Sequence, residues 1–144
     1  MISAVLDSTV LVSAFLNAVK GGVSFDLIGL IEEGAFQLFL SDGILEETVR
    51  VLSTRPRIRK RYSYTTEKVT DYYRSLVDLA TIVPVTPGLR VVRDPNDDMI
   101  LACALAAGAD CLITRDKDLL ILETHEGIAI LTPEAFLQVL RAGE

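Results

Sequence analysis

Apolar positions along the chain fall into two kinds of block, short continuous runs and longer stretches with helical spacing, and the two kinds alternate. Ile2-Ser3-Ala4-Val5-Leu6 is a short apolar run that stops at Asp7. From 9 to about 19, Val10, Leu11, Ala14, Phe15 and Ala18 recur at helical intervals until Gly21-Gly22 breaks the pattern. The alternation then repeats: a helix over 25–33 closed by Gly34, a strand over 36–40, and a helix over 42–52 with Asp42 placed to cap it and Pro56 ending the unit. Thr65, Thr66 and Glu67 open a polar, amphipathic helix to about 79, a strand over 80–85 follows, and Pro87-Gly88 marks a turn. A further helix runs to about 107 with Gly108 at its C′ position, and a strand over 110–113 comes next. The last elements are a strand over 128–131 and a helix over 133–140 with Pro133 in its first turn. Continuously apolar strands alternating with helices predict an α/β chain with a parallel sheet covered on both faces. The pattern holds no repeat or linker, so one domain over 1–144 is expected.

Charge changes this picture in one place. Twenty acids against fourteen bases give a net charge of −6, which excludes a protein that coats nucleic acid through a global positive field. A local exception exists: Arg55, Arg57, Arg59, Lys60 and Arg61 fall within seven positions and are followed by Tyr62 and Tyr64. The cluster reads either as a solvated surface or as a phosphate-contacting patch. Cys103 and Cys111 make no metal-binding spacing and sit in apolar surroundings, so they are expected to be reduced core residues of a cytoplasmic protein. The start of the chain has no basic n-region, and no apolar run approaches the roughly 20 residues that span a bilayer.

The acids carry the candidate chemistry. Arg93-Asp94-Pro95-Asn96-Asp97-Asp98-Met99-Ile100 packs three aspartates into five positions at the start of an apolar helix. A helix N-terminus favours negative charge by about 0.3–1 kcal/mol per group, which accounts for one or two of them. It does not account for Asp7 and Asp116, each of which follows a predicted strand and so falls at the carboxyl edge of the sheet, where parallel α/β sheets bind ligands. Several carboxylates at one spot repel unless a proton or a divalent cation intervenes, and an oxygen-only set suits Mg²⁺ or Mn²⁺ better than zinc. Glu46 and Glu47, on the helix after the second strand, can add to the same edge.

These residues resemble the PIN-domain nucleases, in particular the toxin-like branch found in toxin–antitoxin modules (VapC-like). Val5-Leu6-Asp7-Ser8-Thr9-Val10 is similar to the family's opening motif, Ile44-Leu45-Glu46-Glu47 to its second, Arg93-Asp94-Pro95-Asn96-Asp97-Asp98 to its third, and Leu112-Ile113-Thr114-Arg115-Asp116-Lys117-Asp118 to its fourth. The resemblance implies a three-layer α/β/α sandwich with a central parallel sheet of about four to five strands, and Mg²⁺- or Mn²⁺-dependent hydrolysis of RNA. It makes Asp7, Glu47, Asp97 and Asp116 the catalytic acids, with Asp7, Asp97, Asp116 and Asp118 as metal ligands and Asp98 as the alternative to Asp97. Thr114 becomes a site hydroxyl; with RNA as substrate, the basic cluster read above from its charge, Arg55, Arg57, Arg59, Lys60 and Arg61, is the candidate for RNA binding. A homodimer and a cognate antitoxin protein are the implied partners. The chain departs from the pattern at Thr9, where the family carries Asn; a hydroxyl spans less distance than a carboxamide, which bears on how Asp7 or substrate is oriented. The alternative function is a PIN-fold binding protein with weakened or no catalysis. The single histidine, His125, is expected in an exposed turn and outside catalysis.

Overall fold

The structure, a computed structural model, describes residues 1–85 and 95–143, with the backbone alone at 95 and 96. Among the described residues the sheet has six strands in the order β3-β2-β1-β4-β6-β5: β1 (Ser3–Leu6), β2 (Gln37–Leu40), β3 (Thr81–Ile82), β4 (Cys111–Ile113), β5 (Thr124–His125) and β6 (Ile128–Leu131). Five are mutually parallel, as expected; β5 is an additional antiparallel edge strand on β6. The helices are α1 (Ser8–Leu16), α2 (Val23–Glu32), α3 (Asp42–Thr54), α4 (Pro56–Arg61), α5 (Thr66–Leu79), α6 (Pro95–Ala107), α7 (Lys117–Leu120) and α8 (Pro133–Ala142).

The chain leaves β1 first toward β2 and β3, then returns to place β4 on β1's other side. Right-handed crossovers in opposite directions put their helices on opposite faces, giving an α/β/α sandwich. All four residues of β1 are buried, and its neighbours contribute Leu38, Leu40, Leu112 and Ile113 to the same core. Phe36 and Phe136 meet edge to face at 4.9 Å and lock the start of β2 to α8. Burying each such large apolar side chain contributes about 1.5–3 kcal/mol before conformational entropy is subtracted. A second, smaller core of Val12, Val51, Leu52 and Val69 ties α3 and α5 to α1. Tyr72 anchors it, its buried hydroxyl donating to the Leu11 carbonyl at 2.6 Å.

Several local expectations are corrected. Ser41, not Asp42, caps α3, its Oγ accepting from the Ile44 N–H at 3.3 Å; Asp42 is already the first helical residue. Pro56 does not simply end a unit. Arg55 before it is extended, as residues preceding proline are, and Pro56 opens α4 where its missing N–H costs nothing. The strand expected over 80–85 shortens to Thr81–Ile82, which pairs with Phe39 and Leu40 at the edge of the sheet among the described residues. Pro84 two residues on has no N–H to continue such a ladder. His125 lies in β5 rather than in an exposed turn, and the hairpin beyond it turns through Glu126 and Gly127, both with positive φ. The Pro87-Gly88 turn and Asp94 lie outside the described residues.

Candidate active site

β1 and β4 are neighbours whose crossovers run in opposite directions, so the gap beyond their carboxyl ends is the switch point at which parallel sheets bind ligands. The register pairs Leu6 with Ile113, and the Asp7 N–H donates to the Ile113 carbonyl at 2.9 Å. Asp7 and Thr114 therefore leave adjacent strands side by side. The Thr114 hydroxyl, fully buried, donates to Asp7 Oδ2 at 2.7 Å and accepts the Asp116 N–H at 3.0 Å. One hydroxyl thus fixes the orientation of one acid and the turn that carries another.

Each acid is also held by its own helix terminus. Asp7 caps α1, accepting the Thr9 N–H at 3.4 Å and the Ser8 hydroxyl at 3.3 Å through Oδ1. What Thr9 gives Asp7 is a backbone N–H that any residue but proline supplies; its side chain is exposed. Asp116 caps the short α7 by accepting the Asp118 N–H at 2.8 Å through Oδ1. α6 brings Asp97 and Asp98 in its first turn, both buried. Asp97, Asp116 and Asp118 each offer a carboxylate oxygen within 4.8 Å of the others. Asp98, one position on, and Asp7 lie outside that trio, although Asp7 is close enough to Asp116 to feel its charge.

Burial pushes the Asp7 carboxyl above the usual aspartate range. The hydrogen bonds from Thr114, Thr9 and Ser8 oppose that shift, while the charge of Asp116 adds to it. A polar cradle for an anion that burial disfavours is an arrangement suited to a cation beside it.

Glu47 stands apart from the trio. Gly43 lies where α3 meets α6, beside the flexible thioether end of the Met99 side chain. Glu47, four residues on, shares that face of α3. Its carboxylate is held by Arg50, whose Nη2 reaches both oxygens at 2.7 Å. The neighbouring Glu46 is exposed. The basic cluster sits on the exposed α4 and the residue before it.

Three supports were not anticipated from the sequence. Ser8 adds its hydroxyl to the Asp7 cradle. Arg115, between Thr114 and Asp116, forms a two-pronged pair with Glu134 at 2.8 and 2.6 Å, tying the acidic turn to the start of α8. Arg50 fixes Glu47. Each joins residues whose proximity depends on the fold or on rotamer choice; only the i, i+3 spacing of Glu47 and Arg50 gives a sequence signal.

The donor set fits a hard divalent ion. Three carboxylate oxygens within 4.8 Å of one another are close enough for Asp97, Asp116 and Asp118 to share one such ion. No histidine or cysteine competes: Cys103 and Cys111 are buried free thiols, pushed up to about 11 by that burial. A separate groove of about 830 Å³ between α2 and α8 opens beside Ile2, at the other end of β1 from Asp7.

The fold and site define an α/β/α protein with an acidic candidate metal centre at the switch point of a parallel sheet. The PIN domain family model matches residues 3–118, which takes in all of these acids, and the chain belongs to that family. PIN domains are generally nucleases and typically use divalent metals. Among solved structures, the chain is similar to one in the crystal structure of VapBC2 from Rickettsia felis bound to a DNA fragment from their promoter. That match has 15% identity and a TM-score of 0.61, covering 90% of this chain and 97% of the other. It is similar also to PAE2754 from Pyrobaculum aerophilum, with 15% identity and a TM-score of 0.59 over 98% of this chain and 90% of that one. These likenesses concern the fold. No curated protein matches the chain.

Proposed function

We propose that the protein is a Mg²⁺- or Mn²⁺-dependent endoribonuclease, the toxin component of a type II toxin–antitoxin module. The observation that carries this reading is the convergence of Asp97, Asp116 and Asp118 within 4.8 Å, linked to buried Asp7 through the Thr114 hydroxyl. A bound Mg²⁺ or Mn²⁺ supplies Lewis-acid polarisation of the phosphodiester and a bound water of lowered pKa. Asp97, Asp116 and Asp118 would hold the ion, and Asp7, restrained by Thr114, Ser8 and the Thr9 N–H, completes the acidic wall. Glu47, steadied by Arg50, orients the attacking water from the α3 side. Because the Thr9 contribution to Asp7 is a backbone one, its difference from the family's Asn leaves Asp7 in place, which favours an active enzyme over a PIN-fold binding protein.

The partners follow from the same resemblance: a cognate antitoxin that inserts into the acidic groove with a basic group, and a second copy of the chain as a homodimer. The two free buried cysteines suit a cytoplasmic protein. Among the described residues no helix is long and apolar enough to cross a membrane. The test is cleavage of a mixed RNA substrate with Mg²⁺, Mn²⁺ or chelator, beside Asp7→Asn and Asp116→Asn. Metal-dependent cleavage lost in both variants is the expected result; a folded protein that binds Mn²⁺ and cleaves nothing is the binding protein instead.

A further inference from the structure

Five of the fourteen bases of this acidic chain lie within seven positions, at 55–61, and nothing in the site just described uses them. Their setting is specific. α3, α4 and α5 fold as a hairpin held to α1 by the second core, and α4 is its tip, a single basic helix with no buried residue. Ile58 is its inward contact, packed against that core. Among the described residues none of the five cations is paired with a carboxylate, whereas Arg50 and Arg115 both are.

The tip is mounted firmly. Tyr64, just after α4, donates its hydroxyl to the Leu52 carbonyl at 2.6 Å and sets its ring edge-on to Phe15 at 5.0 Å. The Arg59 guanidinium lies over that ring at 4.7 Å and donates to the Tyr64 carbonyl, so Arg59 braces the turn. Arg57, Lys60 and Arg61 are exposed on the braced helix, Arg61 lying 5.6 Å above the ring of half-buried Tyr62. A row of cations on a pre-ordered support binds a polyanion with little loss of chain entropy.

Position along α3 connects this tip to the acids. Glu47 and Thr54 are seven residues apart on one helix, about 10 Å at 1.5 Å per residue, and α4 begins two residues later. With phosphates advancing roughly 3.4 Å each along a helical strand, the tip is on the order of three to six nucleotides from Glu47. We infer that Arg57, Lys60 and Arg61 form a clamp for the phosphate backbone of RNA flanking the scissile bond, so that affinity comes from α4 while the acidic edge, which by its own charge repels RNA, performs the chemistry. This inference rests on the ribonuclease reading. A sequence-independent grip is what charge on a short exposed helix provides.

The test compares a minimal RNA of two or three nucleotides with a strand of about twelve, cleaved by the wild-type chain and by the combined variant Arg57→Ala, Lys60→Ala, Arg61→Ala, which leaves Arg59 and its brace intact. Expected for the variant on the long strand is a KM raised about tenfold, with kcat unchanged, and a dependence of log(kcat/KM) on log salt flattened by up to about 2, since each released phosphate contact contributes roughly 0.7. Kinetics on the minimal RNA should stay as in the wild type. Equal effects on both substrates, or none on either, overturn the clamp while leaving the nuclease standing; absence of cleavage by the wild-type chain with either metal overturns both. Unchanged RNA kinetics together with loss of binding to poly-glutamate would reassign the patch to an acidic protein partner and overturn the clamp.

Discussion

The acidic edge and the basic tip of α4 treat charge in opposite ways. At the edge, Asp7 and Asp97 are only 3% and 4% exposed, and like charges are drawn together by the meeting of β1, β4 and α6. At the tip, cations stand in water on a helix with no buried residue. Burial makes the first group costly to the metal-free fold, while exposure leaves the second nearly neutral for stability. A fold keeps the costly arrangement when a ligand offsets the cost. The comparison therefore separates residues that should couple activity to metal and stability from residues that should touch neither until a long polyanion arrives.

The sharpest way to break the contrast is at Asp116. Asp116→Asn removes a carboxylate from the proposed metal trio and should lower metal-dependent cleavage by about 10³-fold, several kcal/mol of transition-state stabilisation at 1.36 kcal/mol per decade, read as kcat/KM. Next in size is the metal itself. Mn²⁺ at a hundredfold excess over its dissociation constant should stabilise the protein by about 2.7 kcal/mol, raising the melting temperature by roughly 9 °C for a chain of this length. The same addition to Asp116→Asn should do little, as differential scanning calorimetry would report.

Thr114→Val sharpens the account of how the acids are held. It strips the hydroxyl from both Asp7 and the Asp116 N–H, and should cost about 1–3 kcal/mol of stability and weaken Mn²⁺ binding about 10–100-fold, measured by denaturant melts and calorimetric titration. Asp7→Asn should move the other way in chelator. Because burial raises the Asp7 pKa, the folded state holds that proton more tightly than the unfolded chain. Its contribution to stability is full at pH below the unfolded aspartate value and is withdrawn as pH rises through the folded one. Asparagine keeps the capping geometry without the charge. The variant should therefore be more stable than wild type at pH 7 without metal, with the advantage vanishing toward pH 3; a wild-type chain that is the more stable at pH 7 would contradict it. The smallest effect belongs to the α4 variant, whose melting temperature should stay within about 2 °C of wild type.

How much of this was legible in the sequence depends on how local each feature is. The Asp7 and Asp116 positions could be read because each follows a continuous apolar run, and a parallel sheet sends all such positions to one edge. The helices over Thr66–Leu79 and Pro133–Ala142 carry Thr65 and Thr132 caps before clear amphipathic periodicity, and the pattern located them within about two residues. α7 has four residues and β5 two, both shorter than any period can register, so the acidic turn looked like plain loop. Asp97 and Asp98 are adjacent and identical, and only the phase of α6 against β4 decides which one meets Asp116. The sequence also could not pair Arg115 with Glu134, nineteen positions away, because that contact exists only after β4 and β6 align.

The choice between those two adjacent acids gives the most direct test. Mn²⁺ binding would be titrated by calorimetry into the wild-type chain, Asp97→Asn and Asp98→Asn. The account predicts one strong site in the wild type, retained in Asp98→Asn and weakened by a hundredfold or more in Asp97→Asn; a wild-type chain that binds no Mn²⁺, or two variants that lose it equally, would contradict a metal centre built on Asp97, Asp116 and Asp118.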